Sequence, residues 1–332
     1  MIIITGGAGM IGSIIAWHIN TILGRDDLVI VDHITHQDQW QNLAHRKYVE
    51  YLDRDQLFDY LDANDDIDAV IHMGAISATT ETDFNKLVEA NIHYSQDLWG
   101  WCAQFDVPFF YASSAATYGN GAAGYDDASI DNLRPLNAYG YSKHFFDQWV
   151  LKQSPENSPP TWAGFKFFNV YGPNEYHKER MASVAYHTFN QVSKTGMMKL
   201  FKGTKTDIKD GEQQRDFVYV KDAAAIVAHF LSASLSKKLA SPSTNINGIY
   251  NIGTGQARTF KDLATAVMNS MGKAPNIEYV AMPEDLRGKY QFFTQAPMAK
   301  IRSAGYDLPM TSLEDGVKDY VQNYLMEDDQ YC

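Results

Sequence analysis

Apolar residues fall in short unbroken runs separated by longer stretches of mixed character. Ile2-Ile3-Ile4 comes first, then an apolar-faced segment from Ile11 to Leu23, then Leu28-Val29-Ile30-Val31. Ala69-Val70-Ile71-His72, a helical pattern over Asn91–Phe105 and the run Pro108–Ala112 continue the alternation. A strand with no polar alternation is buried on both faces, so this pattern predicts a parallel sheet covered by helices on each side. Farther on, Trp162–Val170 reads as a strand, Met181–Ser193 as a helix, and Asp216–Val220 as a short strand before a helix from Asp222. Ser232–Asn247 is rich in Ser, Lys, Pro and Asn and reads as a surface loop. Gly248–Ile252 resumes a strand and Phe260–Met271 a helix.

Composition narrows the function classes. The 332 residues are 45% hydrophobic and 20% charged, as in an ordinary globular protein. The net charge of −12, with no Lys/Arg-rich run, argues against a general role in binding nucleic acid. Two cysteines, Cys102 and Cys332, are too few for a disulfide framework and lack metal-ligand spacing, so no metal is expected. Cys102 falls on a predicted helix and reads as core. No apolar stretch approaches the ~20 residues of a membrane span. The apolar start at Met1–Ile4 lacks a basic flank and runs straight into glycines, so it reads as a strand and not a leader. The expected location is cytoplasmic, with no membrane partner.

Thr5-Gly6-Gly7-Ala8-Gly9-Met10-Ile11-Gly12 sets glycines at 6, 9 and 12 between a strand and a helix. Gly6 permits the tight turn, Gly9 lets backbone approach a pyrophosphate, and Gly12 lets helix pack on strand. The open N–H groups and positive end of the following helix favour phosphate. The expected fold class is therefore α/β, a Rossmann-type doubly wound parallel sheet. We assign it to residues 1–170 with a later contribution near 214–240. With no repeat and no long linker, a smaller, interleaved substrate domain takes mainly 171–332. Asp32, ending the second strand, suits a ribose 2′-OH and hence NAD, whereas His33 and Arg54 could meet a 2′-phosphate.

Tyr139-Gly140-Tyr141-Ser142-Lys143 contains a Tyr-x-x-x-Lys pair one helical turn apart. A free phenol has a pKa near ~10 and is a poor base at neutral pH, but a neighbouring ammonium favours the phenolate. Proton exchange with a sugar hydroxyl then becomes feasible. Tyr111-Ala112-Ser113-Ser114 ends a predicted strand, where open sheets place their ligands, and Ser114 is positioned to hold the reacting hydroxyl.

Together these residues resemble the extended short-chain dehydrogenase/reductase family. Within it the chain is similar over nearly its whole length to the ADP-heptose 6-epimerase branch. The carrying segments are Tyr111–Gly119, Pro135–Lys143, Phe168–Pro173 with His177-Lys178, Met181–His187, Arg215–Val220 and Tyr290–Ala296. The resemblance implies transient oxidation of a heptose C6 and return of the hydride to the other face. Tyr139 and Lys178 match the family's two acid/base groups, with Lys143 and Ser114 beside them. It implies NADP as the bound cofactor, NAD remaining the alternative. The residues set against that cofactor are Gly6, Gly9, Met10, Ile11, Gly12, Asp32, His33, Arg54, Met73, Gly74, Ala75, Ile76, Ser77, Asn91, Tyr139, Lys143, Val170 and Lys178. For the nucleotide sugar it implies Ser114, Asn169, Arg180, His187, Phe201, Lys202, Gly203, Thr204, Arg215 and Tyr290, with Arg215 able to bond a diphosphate in bidentate fashion. It also implies a homo-oligomer, such as a pentameric ring.

The chain departs from that pattern in places. Gln39 stands where the family has a cofactor-phosphate lysine, and Glu179-Arg180 replace a Gly-Ser pair after Lys178. Lys205–Gln214 is several residues longer than in relatives. A 4-epimerase on the same fold would also use Ser, Tyr and Lys. A 4,6-dehydratase would need carboxyl groups where Ala115-Ala116 stand, so dehydration is disfavoured. A dinucleotide-binding protein without chemistry would typically have lost Tyr139 or Lys143.

Overall fold

The first apolar run folds as β1 (Ile2–Thr5), and the computed structural model continues it through a tight turn into the helix Met10–Thr21. The structure describes residues 1–203, 208–237, 246–284 and 290–332. Six further strands join β1 in one parallel sheet. They are β2 (Leu28–Asp32), β3 (Glu50–Asp53), β4 (Ala69–His72), β5 (Phe109–Ser114), β6 (Trp162–Phe167) and, later in the chain, β10 (Gly248–Ile252). Their order is β10-β6-β5-β4-β1-β2-β3, so the chain reverses direction between β1 and β4. The expected doubly wound α/β sheet is present.

Burial explains the apolar runs. Ile2–Ile4, Leu28–Val31 and Ala69–Ile71 are all fully buried, because helices cover both faces of these central strands. Each such Ile, Leu or Val contributes roughly 1.5–3 kcal/mol relative to an exposed position. On one face the helix Met10–Thr21 packs against the helix Val220–Lys237. The opposite face centres on Trp99, Phe109, Phe146 and Val150. Cys102 is fully buried there, as expected of a core thiol.

Outside the large sheet, β7 (Asn169–Tyr171), β9 (Gln214–Tyr219) and β11 (Ala257–Thr259) form a three-stranded sheet, with β9 central. A two-stranded parallel ribbon pairs β8 (Met198–Phe201) with β12 (Ile277–Val280). The helix Val184–Thr195 packs against Phe260–Ser270 beside this ribbon.

Three expectations need correction. The run Trp162–Val170 is two strands in two sheets, the chain changing sheet at Phe168. The predicted helix from Met181 starts at Val184, capped by Ser183, because Tyr176–Met181 form a separate 3-10 turn. The segment read as a loop from Ser232 stays helical to Lys237, since Ser234 is buried and its hydroxyl bonds the carbonyl of Leu231 within the helix. The rest of that predicted loop falls largely on 238–245, outside the described residues. No helix among the described residues is long and apolar enough to cross a membrane.

Two predictions follow from how the sheet is built around the first turn. A β-carbon at Gly12 would run into the carbonyl oxygen of Gly6. Gly12→Ala should therefore cost about 1–3 kcal/mol through overpacking, read as a lower urea midpoint; an unchanged midpoint refutes the close approach. The second concerns His72, fully buried at the end of β4. Its Nδ1 lies 2.6 Å from Thr5 Oγ1 and its Nε2 2.9 Å from Ser95 Oγ. Burial, helped by the Lys143 charge, pushes its pKa down to about 3. The folded state thus resists protonation, so the stabilisation is complete above the ordinary value near ~6.5 and is lost as pH falls from there toward the folded value. His72→Gln should flatten the fall in unfolding free energy just below that point by up to ~1.4 kcal/mol per pH unit. Identical slopes in the two proteins would overturn this.

Candidate active site

The carboxyl ends of five parallel strands converge at the point where the strand order reverses, the usual ligand crevice of such sheets. A cavity of about 650 Å³ opens there. Its walls come from the turn after β1, the ends of β2, β5 and β6, the loop after β4, and the segment 177–184.

The first turn forms the phosphate-sized part. Gly6 has φ +64°, and a β-carbon on it would lie 2.5 Å from the amide nitrogen of Gly74 in the loop after β4. Gly9 caps the helix Met10–Thr21 with no side-chain hydrogen bond, leaving the first-turn N–H groups open to an anion. Gly6, Gly9, Met10, Ile11 and Gly12 all line the cavity, as do Met73, Gly74, Ala75, Ser77 and Val170. A dinucleotide pyrophosphate fits this backbone cradle.

The wall at β2 is acidic. Asp32 faces the cavity while accepting hydrogen bonds from Ala8 N at 2.8 Å and His33 N at 2.8 Å. Burial raises its pKa, and those backbone donors oppose the rise. His33 lines the cavity, but its Nδ1 is 2.9 Å from Asp53 Oδ2. Arg54 lies outside the lining, with Nε 3.3 Å from Asp55. Gln39, at the position of the family's lysine, does line it.

Tyr139 and Lys143 reach the cavity from the helix Ala138–Val150, which starts where the Asn137 side chain accepts from Gly140 N at 2.8 Å. Burial raises the Tyr139 pKa, while a hydrogen bond with Ser114 opposes the rise. Lys143 is 3% exposed, and burial lowers its pKa to about 8, with the Asp147 carboxylate opposing. Ser114 ends β5 and also accepts from Ala116 N at 3.1 Å, which fixes its rotamer. Geometry therefore brings Ser114, Tyr139 and Lys143 together at one strand end.

Lys178 enters from the other chain segment. Its Nζ lies 3.8 Å from Met10 Sδ, over the start of the first helix. The loop that carries it is tied by the fully buried Glu175, whose carboxylate accepts from Ser183 Oγ at 2.7 Å and Ser183 N at 2.5 Å. Next to Lys178, Glu179 takes φ 47° and ψ −121°, a conformation that glycine adopts without strain. This accounts physically for the glycine at that position in the family pattern. Glu179 and Arg180 are both exposed, and the Glu179 carboxylate stands 3.8 Å from His36 Nε2.

The residues expected around a nucleotide sugar separate into two groups. Asn169 and Arg215 line the cavity. Arg215 is 5% exposed, its guanidinium lying 5.0 Å from the Tyr290 ring centre and 5.5 Å from that of Phe260, with Phe201 edge-on to Tyr290 at 6.2 Å. It has no carboxylate partner among the described residues and bonds only the carbonyls of Gln214 and Gln291. Arg180, His187, Phe201, Lys202, Gly203 and Tyr290 are outside the lining; His187 Nε2 is 3.3 Å from the Arg180 carbonyl, and Gly203 N donates to Asp210. Thr204 lies outside the described residues. Ile76 and Asn91 do not line the cavity either. Asn91 is fully buried, exchanges two hydrogen bonds with the Ile76 backbone and donates to Ser142, so it braces the loop after β4 against the helix of Tyr139.

Sequence reasoning assigned no role to several contributors. Thr35, His177, Phe217 and Phe260 also line the cavity. His177, whose pKa burial lowers to about 4, sits 3.3 Å from Asn42 Nδ2. Only its place beside Lys178 could have drawn notice.

A model of the NAD dependent epimerase/dehydratase family matches residues 2–253. The chain is 50% identical over 344 aligned positions to the ADP-L-glycero-D-manno-heptose-6-epimerase of Fusobacterium nucleatum, with both chains covered completely. It is 46% identical over 336 to that of Nitratidesulfovibrio vulgaris, again with complete coverage. The crystal structure of the Helicobacter pylori ADP-L-glycero-D-manno-heptose-6-epimerase superposes with a TM-score of 0.78 at 29% identity, over 97% of this chain and 95% of that one. The UDP-glucuronic acid 4-epimerase of Bacillus cereus, solved with UDP-glucuronic acid and NAD, shares the fold with a TM-score of 0.76 at 22% identity, over 97% and 99%. The chain therefore belongs to the NAD dependent epimerase/dehydratase family, on the branch of its ADP-L-glycero-D-manno-heptose-6-epimerases.

Proposed function

We propose that the chain is an isomerase that inverts C6 of ADP-D-glycero-D-manno-heptose to give the L-glycero epimer. One observation carries this reading: full-length relatives at 46–50% identity bear that name, and the cavity holds the matching groups. A bound nicotinamide dinucleotide supplies the hydride acceptor and donor. Tyr139, favoured toward phenolate by the Lys143 ammonium, takes the C6 hydroxyl proton as the carbon is oxidised. Ser114 holds the same oxygen by a hydrogen bond. Lys178, on a separate segment of the cavity wall, exchanges the proton when the ketone is reduced on its other face. Arg215, a buried cation stacked on aromatic rings, suits the diphosphate. Asn91 acts at one remove, holding the loop after β4.

For the dinucleotide, the family resemblance points to NADP. A second reading, NAD, is favoured by the charge at the β2 edge: Asp32, Asp53 and Asp55 surround His33 and Arg54, and Gln39 offers no cation. Denaturing the purified protein and identifying the released dinucleotide separates the two. NADP is expected if His33 and Arg54 swing from their carboxylates to the 2′-phosphate, and Arg54→Ala should then weaken NADP binding more than NAD binding. Recovered NAD would assign Asp32 to the ribose instead. On the same resemblance the assembly is a homo-oligomer, which sedimentation measures.

The reaction is tested by incubating the protein with ADP-D-glycero-D-manno-heptose, without added cofactor, and following C6 by NMR. Conversion to the L-glycero epimer is expected. Tyr139→Phe should lose about 10²–10⁴ in rate with an unchanged melting temperature, since only a proton-transfer group is removed. Lys178→Met should lose a comparable factor. Full activity in Lys178→Met would instead point to one base and a rotating substrate.

A further inference from the structure

Behind Tyr139 and Lys143 lies a charge pair that the reaction above does not use. Lys166 is the penultimate residue of β6, following Trp162, Ala163, Gly164 and Phe165, and both it and Asp147 have side chains with no exposed surface. The Lys166 ammonium is 2.5 Å from Asp147 Oδ2, donates to Thr117 Oγ1 at 2.7 Å and lies over the Tyr118 ring at 5.2 Å. The carboxylate also accepts from the hydroxyls of Tyr111 at 3.0 Å and Ser113 at 2.7 Å. Burying such a pair costs several kcal/mol per ion before any attraction is counted, and apolar residues of similar volume are often as stable. Stability is therefore a weak reason for its presence.

Its position supplies a better one. Tyr139, Lys143 and Asp147 are spaced four residues apart and form one stripe of the same helix. Among the described residues the carboxylate that acts on Lys143 is that of Asp147, whose charge favours its ammonium while disfavouring the Tyr139 phenolate. Ser113, which bonds Asp147, immediately precedes Ser114. We propose that the Asp147–Lys166 pair is a positioning device for the reaction, holding the Tyr139–Lys143 couple in its working charge state without touching substrate. This inference rests on reading Tyr139 and Lys143 as the acid/base couple.

The groups facing the pair define the balance. From β5 come Tyr111 and Ser113, from the turn after it Thr117 and Tyr118, from β6 Lys166 itself, and from the helix Tyr139, Lys143 and His144. His144 also feels Arg134 and Asp131, and His72 of β4 feels Lys143. Burial lowers both imidazoles, leaving them neutral at pH 7. From outside these elements the Lys300 ammonium acts on Lys166, and Asp127, which Lys300 offsets, acts on Tyr118. The charges nearest the couple are then Lys143 and Lys166 against Asp147.

The test is the pH profile of kcat for C6 inversion, measured on the full chain with its bound dinucleotide. Lys166→Met leaves the Asp147 charge less compensated, which raises the pKa of both Tyr139 and Lys143 and should move the profile toward alkaline pH by about one unit. Asp147→Asn removes that charge and should move it the other way. The double variant leaves no unpaired buried charge and so guards against a failure to fold. Its profile should also move toward acid, because Asp147 acts on the couple and Lys166 acts mainly on Asp147. Opposite shifts in the single variants, or the acid shift in the double one, support the proposal. Profiles that stay in place while only kcat or melting temperature falls mean a purely structural pair and overturn it. Should Tyr139→Phe retain activity, the couple itself is misread, which is a separate failure from an unmoved profile.

Discussion

The site depends on one close approach of backbone to backbone. Gly6, in a left-handed conformation, brings its carbonyl against Gly12 and its α-carbon against the Gly74 amide. That contact fixes the first helix on β1 and joins the turn after β1 to the loop after β4, the two strands between which the sheet reverses. A side chain at either position would part them. With them in contact, the helix start, the end of β2 carrying Asp32 and the end of β5 carrying Ser114 share one cavity. The proposed pyrophosphate cradle and the proposed place of proton transfer thus follow from the same packing.

Much of this was legible because its physics is local. Parallel strands buried on both faces are mostly apolar, so β1, β2, β4 and β5 stand out as short apolar runs. Glycines at fixed offsets and a Tyr-x-x-x-Lys spacing need no knowledge of distant residues. Elements whose burial depends on partners far along the chain were not legible. β3 lies at the sheet edge with Glu50 exposed, and β11 is three half-buried residues. Lys166 is invisible as a feature until β6 is placed beside Asp147. The Ser-rich end of the helix Val220–Lys237 looks like loop until the buried Ser234 is seen bonding within it.

The candidate site divides along the same line. The residues of the turn after β1 and those of the Ser-Tyr-Lys set were readable from spacing. Lys178 and Arg215 were reached only through the family resemblance, because nothing nearby in sequence marks a loop lysine or a strand arginine as functional. In the structure Glu175 ties the Lys178 loop to Ser183, and aromatic rings flank the Arg215 guanidinium. Asn91 shows the converse, since the resemblance implies contact with the cofactor while its hydrogen bonds show a brace.

Charge distribution ties these pieces to the ligand. The chain has 40 acidic residues against 28 Lys and Arg, so its far field repels an anionic nucleotide. Among the described residues, Lys143, Lys178 and Arg215 nevertheless make no ion pair with a carboxylate, and all three line the cavity, two of them buried. Elsewhere on the surface, cations such as Arg25, Lys221 and Arg258 are held by aspartates or glutamates. Desolvated cations left unpaired are costly unless a ligand completes them. Arg46 is a further buried guanidinium with no carboxylate ion pair among the described residues, but Lys143, Lys178 and Arg215 share one cavity with open helix-terminal N–H groups, and that grouping concentrates attraction for phosphates there.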